Sequence, residues 1–269
     1  MSFKWQMKCL GERLKDKFFK GRSIHFEFNQ YVSFNIDSRT LESFENFSNK
    51  DSDAKHEINN FITLTKDKTC LLDIGAHHGV FSLVFTSHCS NSRYTKRAYA
   101  FDPSPRVFDF LAFNAKVNPD CNIKAYQVVV GDNNEPVTMK FESVNQLSAI
   151  GGKENVKKHH QIVVESITID QLIDKHKMMP DVIKIDTEGF EYQVLRGGTN
   201  YFKNNNPLIF LEIHPPKLLN HRLSLSKLEE LLSDLGYNDI RDLDGKSIIG
   251  LEKTFDYKVM AYRTVVRKK

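Results

Sequence analysis

The chain has 269 residues, of which 40% are hydrophobic and 27% charged, and its formal net charge is +4. That is long and apolar enough for one large domain with an added segment, and it excludes a disordered chain and the strongly basic footprint of a dedicated nucleic-acid binder. Cys9, Cys70, Cys89 and Cys121 are dispersed without a C-x-x-C pair, which excludes a disulfide scaffold and a cysteine metal site. No apolar run approaches the ~20 residues of a membrane span, and the first 21 residues lack the apolar stretch of a secretory signal, so the cytoplasm is the expected compartment.

Met7, Leu10, Leu14 and Phe18 recur at helical spacing among Lys4, Lys8, Arg13, Lys15 and Lys17. This predicts a basic amphipathic helix packed on the main domain, with an anionic membrane surface as the other reading. Ile24–Ile36 alternates as a hairpin does, Leu41–Lys55 is polar and acidic, and Ala54–Thr65 reads as a helix. Residues 1–55 are therefore expected to be an N-terminal extension of helix plus hairpin, and residues 56–269 the main domain. From Thr69 onward short apolar runs alternate with helical stretches: CLLDIG, GVFSLVFTSH, RAYAFD, PRVFDFLAFNAKV, AYQVVVGD, DVIKID, LIFLEI and LSKLEELLSDLG. The pattern predicts an α/β, doubly wound and mostly parallel sheet covered on both faces. Ser104 and Pro105 should open one helix, and a capping box of Ser226 and Glu229 another that Gly236 closes. The last apolar runs, near residues 240–249 and 255–266, read as two further strands on an antiparallel edge. The Lys-rich stretch holding His159 and His160 reads as a solvated loop, or as a lid over the site.

The residues able to do chemistry sit where these runs end. Leu71-Leu72-Asp73-Ile74-Gly75-Ala76-His77-His78-Gly79 is an apolar strand entering Asp-x-Gly-x-x-x-Gly, with a helix behind it. Glycine lets backbone approach a ligand closely, and ligands of open α/β sheets bind at the carboxyl ends of the strands. The spacing departs from G-x-G-x-x-G, which disfavours a dinucleotide pyrophosphate, and a ligand-free tight turn is the plain alternative. The next strand ends in Asp102, a carboxylate able to accept both hydroxyls of a ribose. The run Gln127–Val130 is read as the third strand. It leads to Asp132, which could bond an adenine amino group or simply form a turn. Asp186, Glu188 and Glu191 cluster after the fourth strand, and the fifth ends in Glu212-Ile213-His214. Part of that acidity complements a helix N-terminus, Glu191 above all.

In this order, DIGAHHG, AFDPSP, VVVGD, Asp170-Gln171-Leu172, KIDTEGFEYQVLRGG and FLEIH resemble the FkbM-like methyltransferases, from about Cys70 to about His214. KIDTEG is the specific block, whereas the glycine loop is shared by many class I methyltransferases. The resemblance implies a seven-stranded, Rossmann-like class I fold that binds S-adenosylmethionine. Asp73, Gly75, Ala76 and Gly79 would hold the methionine part, Asp102 the ribose and Asp132 the adenine side. It also implies O-methylation of a small-molecule, sugar or glycan acceptor. His77 stands where such loops commonly carry Asn, and Asp102 where Glu is usual, which keeps the carboxylate but shortens its reach.

Methyl transfer from a sulfonium is an in-line displacement, so alignment supplies much of the rate and a base must take the hydroxyl proton. Asp186, Glu188 and His214 are the catalytic candidates. Asp186 comes first because it ends the fourth strand; His214 has the more suitable ordinary pKa, though a loop role before two prolines explains it equally well. Asp186, Glu188 and Glu212 offer oxygens of the sort Mg²⁺ accepts, but catalysis without a metal is the leading expectation. The rival readings are a nucleic-acid or protein methyltransferase, a nicotinamide-dependent dehydrogenase, and a non-catalytic methyltransferase-like binding protein. No N-P-P-[FY] tetrapeptide or aromatic and basic patch supports the first, and the glycine spacing disfavours the second. Only a cofactor measurement separates the third from an enzyme.

Overall fold

The computed structural model describes residues 21–49, 52–87, 95–143, 146–150 and 161–268. The helix expected over residues 7–18 and the stretch with His159 and His160 lie outside these. The described residues begin with the expected hairpin: β1 (Ser23–Asn29) pairs antiparallel with β2 (Val32–Asp37). A 3-10 turn leads to α1 (Leu41–Ser48) and α2 (Asp53–Leu64). The segment of α1 reads as polar, yet it is helical because Phe44 is fully buried and anchors it. Next come β3 (Cys70–Ile74), α3 (Val80–Ser87), β4 (Arg97–Phe101), α4 (Pro105–Lys116) and β5 (Asn122–Tyr126). β6 (Val129–Gly131), β7 (Val137–Ser143), β8 (Gln146–Ile150), β9 (Gln161–Val164) and β10 (Ser166–Thr168) precede α5 (Ile169–His176). The remainder is β11 (Val182–Ile185), α6 (Glu191–Arg196), α7 (Thr199–Asn204), β12 (Leu208–Ile213), α8 (Pro215–Asn220), α9 (Leu225–Asp234), β13 (Asp239–Arg241), α10 (Leu251–Thr254) and β14 (Tyr262–Arg267).

Seven strands form the main sheet in the order β13-β14-β12-β11-β3-β4-β5, and β12, β11, β3, β4 and β5 run parallel to one another. The sheet is the doubly wound α/β architecture that the strand-helix alternation predicts. Residue alternation along each strand builds two cores. Leu72, Ile74, Ile183, Ile185, Ile209 and Leu211 face one side with α6, α7 and α9. Leu71, Val182, Leu208 and Phe210 face the other, with α2, α3 and the apolar side of the hairpin, including Phe28, Phe34 and Ile36. Covered on both faces, β3 and β11 are buried along their whole length.

Three local readings need correction. The third strand of the sheet is Asn122–Tyr126, not Gln127–Val130. It is an edge strand, half exposed, so it carries little apolar signal; Val129–Gly131 instead pairs in parallel with Ser166–Thr168 in a separate two-stranded sheet. Of the two last strands only β14 is antiparallel to the rest, inserted between β12 and β13. The cap of α9 is Ser224, whose hydroxyl accepts from the Lys227 amide at 3.2 Å, while Ser226 and Glu229 bond outward to Glu252 and the Leu251 amide. A full capping box does occur at α5, where Thr168 and Gln171 exchange bonds at 3.2 Å. Asp170 beside it accepts from the Asn200 and Tyr201 amides and so caps α7.

Candidate active site

The turn after β3 is held by backbone. The Gly75 and Ala76 amides donate to the Phe101 carbonyl at 2.9 and 3.0 Å, which ties the loop to the end of β4. Gly75 has φ +80°, and a Cβ there would lie 1.7 Å from the Asp186 carbonyl oxygen. The residue is therefore fixed by the close approach of the β3 and β11 ends as well as by its dihedral. His77 takes φ +50°, the left-handed region that Asn tolerates best among non-glycine residues, and it fills that position here with an imidazole. Its ring packs on that of His78, centroids 3.8 Å apart.

Asp102 is buried. One carboxylate oxygen accepts from the His77 amide at 3.1 Å and the other from the Ser104 amide at 2.9 Å. The capping bond at the start of α4 thus comes from Asp102, and Ser104, at the expected position before Pro105, makes none with its side chain. Burial pushes the Asp102 carboxyl up to about 7. Asp73 is buried too, and burial raises its carboxyl; Ser82 donates to one oxygen at 2.6 Å, and the other has no hydrogen-bond partner. Asp73, Gly75, Ala76, Gly79 and Asp102 are thus brought to one turn.

A cleft opens from this turn, lined by Ile74, Gly75, Phe101, Asp102, Pro103, Val128, Val129, Val130, Met139 and the loop residues Asp186, Thr187, Glu188 and Phe190. Asp132 is not among the lining residues. Its carboxylate pairs with Arg196 of α6.

At the far end of the cleft the β11 and β12 ends meet. The loop from Asp186 to Phe190 turns sharply, with φ +58° at Glu188 and +105° at Gly189, where a side chain would run into Lys217 of α8. His214, just past β12, is buried. Its Nδ1 lies 2.9 Å from Glu191 Oε1, which also accepts from the Gly189 amide at 2.8 Å. Its Nε2 faces Glu188 Oε2 at 3.5 Å, and Asp186 Oδ1 and Glu212 Oε1 each at 3.9 Å. Burial alone would lower the His214 pKa, but the bond to Glu191 and the charges of Glu191, Glu188 and Asp186 outweigh it and raise it. Glu188 itself is half exposed and paired with Lys217.

Sequence reasoning missed four groups here. Lys184 lies inside buried β11, reaches Asp186 Oδ2 at 3.1 Å and sits over the Phe81 ring. Burial would lower its pKa, yet Asp186, Glu57, Glu212 and Asp73 raise it. Burial likewise opposes ionisation of Asp186, and Lys184, His214 and Arg263 reverse that and hold its carboxyl below the ordinary value. Glu57 of α2 pairs with Arg263 of β14 at 2.7 Å, and Arg263 lies 3.4 Å from Glu212. Burial and the Asp186 charge push the Glu212 carboxyl up to about 7. Glu191, read as helix-terminal acidity, is fully buried and holds His214. One signal was visible: a lysine inside an apolar strand that must be covered on both faces needs buried carboxylates.

Comparison with known proteins adds the family. Residues 73–238 match the Methyltransferase FkbM domain. Hexuronic acid methyltransferase AglP of Haloferax volcanii is 28% identical over 173 residues, which cover 63% of this chain and 67% of that protein. The crystal structure of Methyltransferase FkbM from Methylobacillus flagellatus is 18% identical with a TM-score of 0.43, over 75% of this chain and 44% of that one. Precorrin-6y C5,15-methyltransferase of Geobacter metallireducens is 15% identical with a TM-score of 0.42, over 81% of this chain and 90% of that one. The matched domain takes up more than half of the sequence, and the chain belongs to the FkbM family of S-adenosylmethionine-dependent methyltransferases.

Proposed function

We propose that the enzyme methylates a hydroxyl oxygen of a sugar. The observation that carries this reading is the continuity of the cleft with the cluster at the ends of β11 and β12, because Asp186 and Glu188 line the first and belong to the second. The residues present fit the donor. Asp102 offers carboxylate lone pairs to ribose hydroxyls, and the turn at Gly75, Ala76 and Gly79, backed by Asp73, suits the methionine part. Val129, Val130, Met139 and Phe190 supply an apolar slot for the adenine, while Asp132 is engaged by Arg196. The donor brings an activated methyl group on a sulfonium.

The protein's own work is to orient the hydroxyl and remove its proton. Asp186, Glu188 and His214 surround the place where that oxygen would lie. Lys184 keeps Asp186 ionised and fixed, and Glu191 keeps the His214 ring turned so that Nε2 faces the acceptor. A cluster of proton acceptors favours a hydroxyl over a carboxylate as nucleophile: a carboxylate needs no base, and the surrounding carboxylates would repel it. The hexuronic acid relative supports a sugar as the acceptor class.

The test is incubation with methyl-labelled donor and a panel of uronic and neutral glycosides. The expected product is an alkali-stable ether, and turnover should disappear in Asp186→Ala while donor binding persists. Label released by mild alkali marks a methyl ester and would overturn the hydroxyl assignment.

A further inference from the structure

We propose that Asp186, Glu212 and His214 form a binding site for a divalent cation at the carboxyl edge of β11 and β12. One oxygen from each carboxylate and one imidazole nitrogen lie within 4.8 Å of one another. The nitrogen is His214 Nε2, 3.9 Å from Asp186 Oδ1 and 3.9 Å from Glu212 Oε1. Those spans are too long for hydrogen bonds. They are close to the separation of two ligand atoms that share one ion at about 2.2 Å with a wide angle between them.

A second observation points the same way. The His214 side chain is only 5% exposed, and its Nε2 is aimed at these two oxygens, with Glu188 Oε2 beside them at 3.5 Å. Its other nitrogen is fixed at 2.9 Å by Glu191, which is itself fully buried. A carboxylate behind an imidazole whose second nitrogen faces other ligands is the arrangement that orients metal-binding histidines.

The resident cations occupy the place only in part. Lys184 takes the other oxygen of Asp186, and Arg263 lies 2.7 Å from Glu57 and reaches Glu212 Oε1 only as a second contact, at the longer distance of 3.4 Å. Six carboxylates, Glu57, Asp73, Asp186, Glu188, Glu191 and Glu212, meet four basic groups, Lys184, Arg263, Lys217 and the His214 imidazole. Excess negative charge in a buried cluster is costly and attracts a cation. Two carboxylates with one imidazole suit Mn²⁺ or Zn²⁺ better than Ca²⁺. The sequence offered Glu188 as the third ligand; the structure puts His214 there and leaves Glu188 half exposed at the rim. In the proposed methylation, on which only this last role rests, a cation at the site would polarise the acceptor hydroxyl and leave Glu188 to receive its proton.

The experiment uses the whole chain, stripped with EDTA and desalted, and titrated with Mn²⁺ while free Mn²⁺ is followed by electron paramagnetic resonance. One micromolar site per chain is expected. Glu212→Gln should weaken it at least about tenfold, and Glu191→Gln, which touches no ion, by about 10–100-fold. Both variants are first shown by calorimetry to bind S-adenosylmethionine as the wild type does, which establishes that they fold. Binding only in the millimolar range, or a site that neither variant weakens, overturns the proposal. A protein that binds Mn²⁺ as expected but methylates no glycoside keeps the site and loses the sugar reading. One that methylates undiminished in EDTA and binds no Mn²⁺ does the reverse.

Discussion

At the scale of single residues, two positions govern the turn after β3, where the proposed donor site lies. Asp102 sits in a pocket that raises its carboxyl from an ordinary 3.8 to about 7. The native state then keeps a proton that the unfolded chain has already released, so this group lowers the stability of the ligand-free protein as pH rises from about 4 through 7. In the proposed donor site, ribose hydroxyls would donate to the ionised form, so donor affinity should change in the opposite sense, strengthening as pH rises through 7. Calorimetry at pH 5.5 and 8 checks this, and near neutral pH the heat should vary with the buffer because binding expels a proton. Asp102→Asn should abolish the pH trend and weaken donor binding by about 2–3 kcal/mol, the order of a hydrogen bond to a charged group. Gly75→Ala places a methyl group on the Asp186 carbonyl at φ +80°. Loss of more than about 3 kcal/mol of stability is expected in urea unfolding, since neither strand end can yield without parting β3 from β11.

At the scale of elements, the N-terminal hairpin is wired to the glycine turn after β3 through α4. Asn114 accepts from the Asp37 amide of β2 at 2.7 Å and donates to the His78 carbonyl of the glycine turn at 2.9 Å. Asn118 exchanges bonds with the Asn35 backbone at 2.7 and 2.6 Å, as a neighbouring strand would. Asn114→Ala strands a buried amide and a carbonyl, and should cost about 2–4 kcal/mol in chemical denaturation. Because one of the two lost bonds ends on the turn, donor affinity should fall as well, whereas Asn118→Ala should cost stability alone. None of this was legible in the sequence: Asn114 lies within the helical stretch PRVFDFLAFNAKV and Asn118 just past it, and their partners lie 36–83 positions away. The hairpin itself was legible, because strict alternation over a few residues has one structural meaning.

At the scale of the whole molecule, one buried charge network joins the layers. Lys184 of β11, Glu212 of β12, Arg263 of β14 and Glu57 of α2 meet at the carboxyl ends of β11 and β12. Breaking such a network from one side is worse than never building it, so Lys184→Met should destabilise the fold by about 3–5 kcal/mol even though methionine fits an apolar strand. Urea unfolding checks this, and hydrogen exchange should show the loss spread over β3, β11 and β12 together. The sequence by itself determined the α/β class, the glycine turn, Asp102 and the acidic run after β11. Each of those is written in local periodicity or in a contiguous motif, and a parallel sheet presents its strand ends on one edge. Tertiary structure alone decided that Asn122–Tyr126 is the outer strand, that Asp132 turns to Arg196, and that Glu191 stands behind His214. It also decided that Glu57, Lys184, Glu212 and Arg263 converge. Those facts depend on pairing and on contacts between elements distant in the chain, where burial gives a charged side chain its partner and its role, and no local pattern encodes such a meeting.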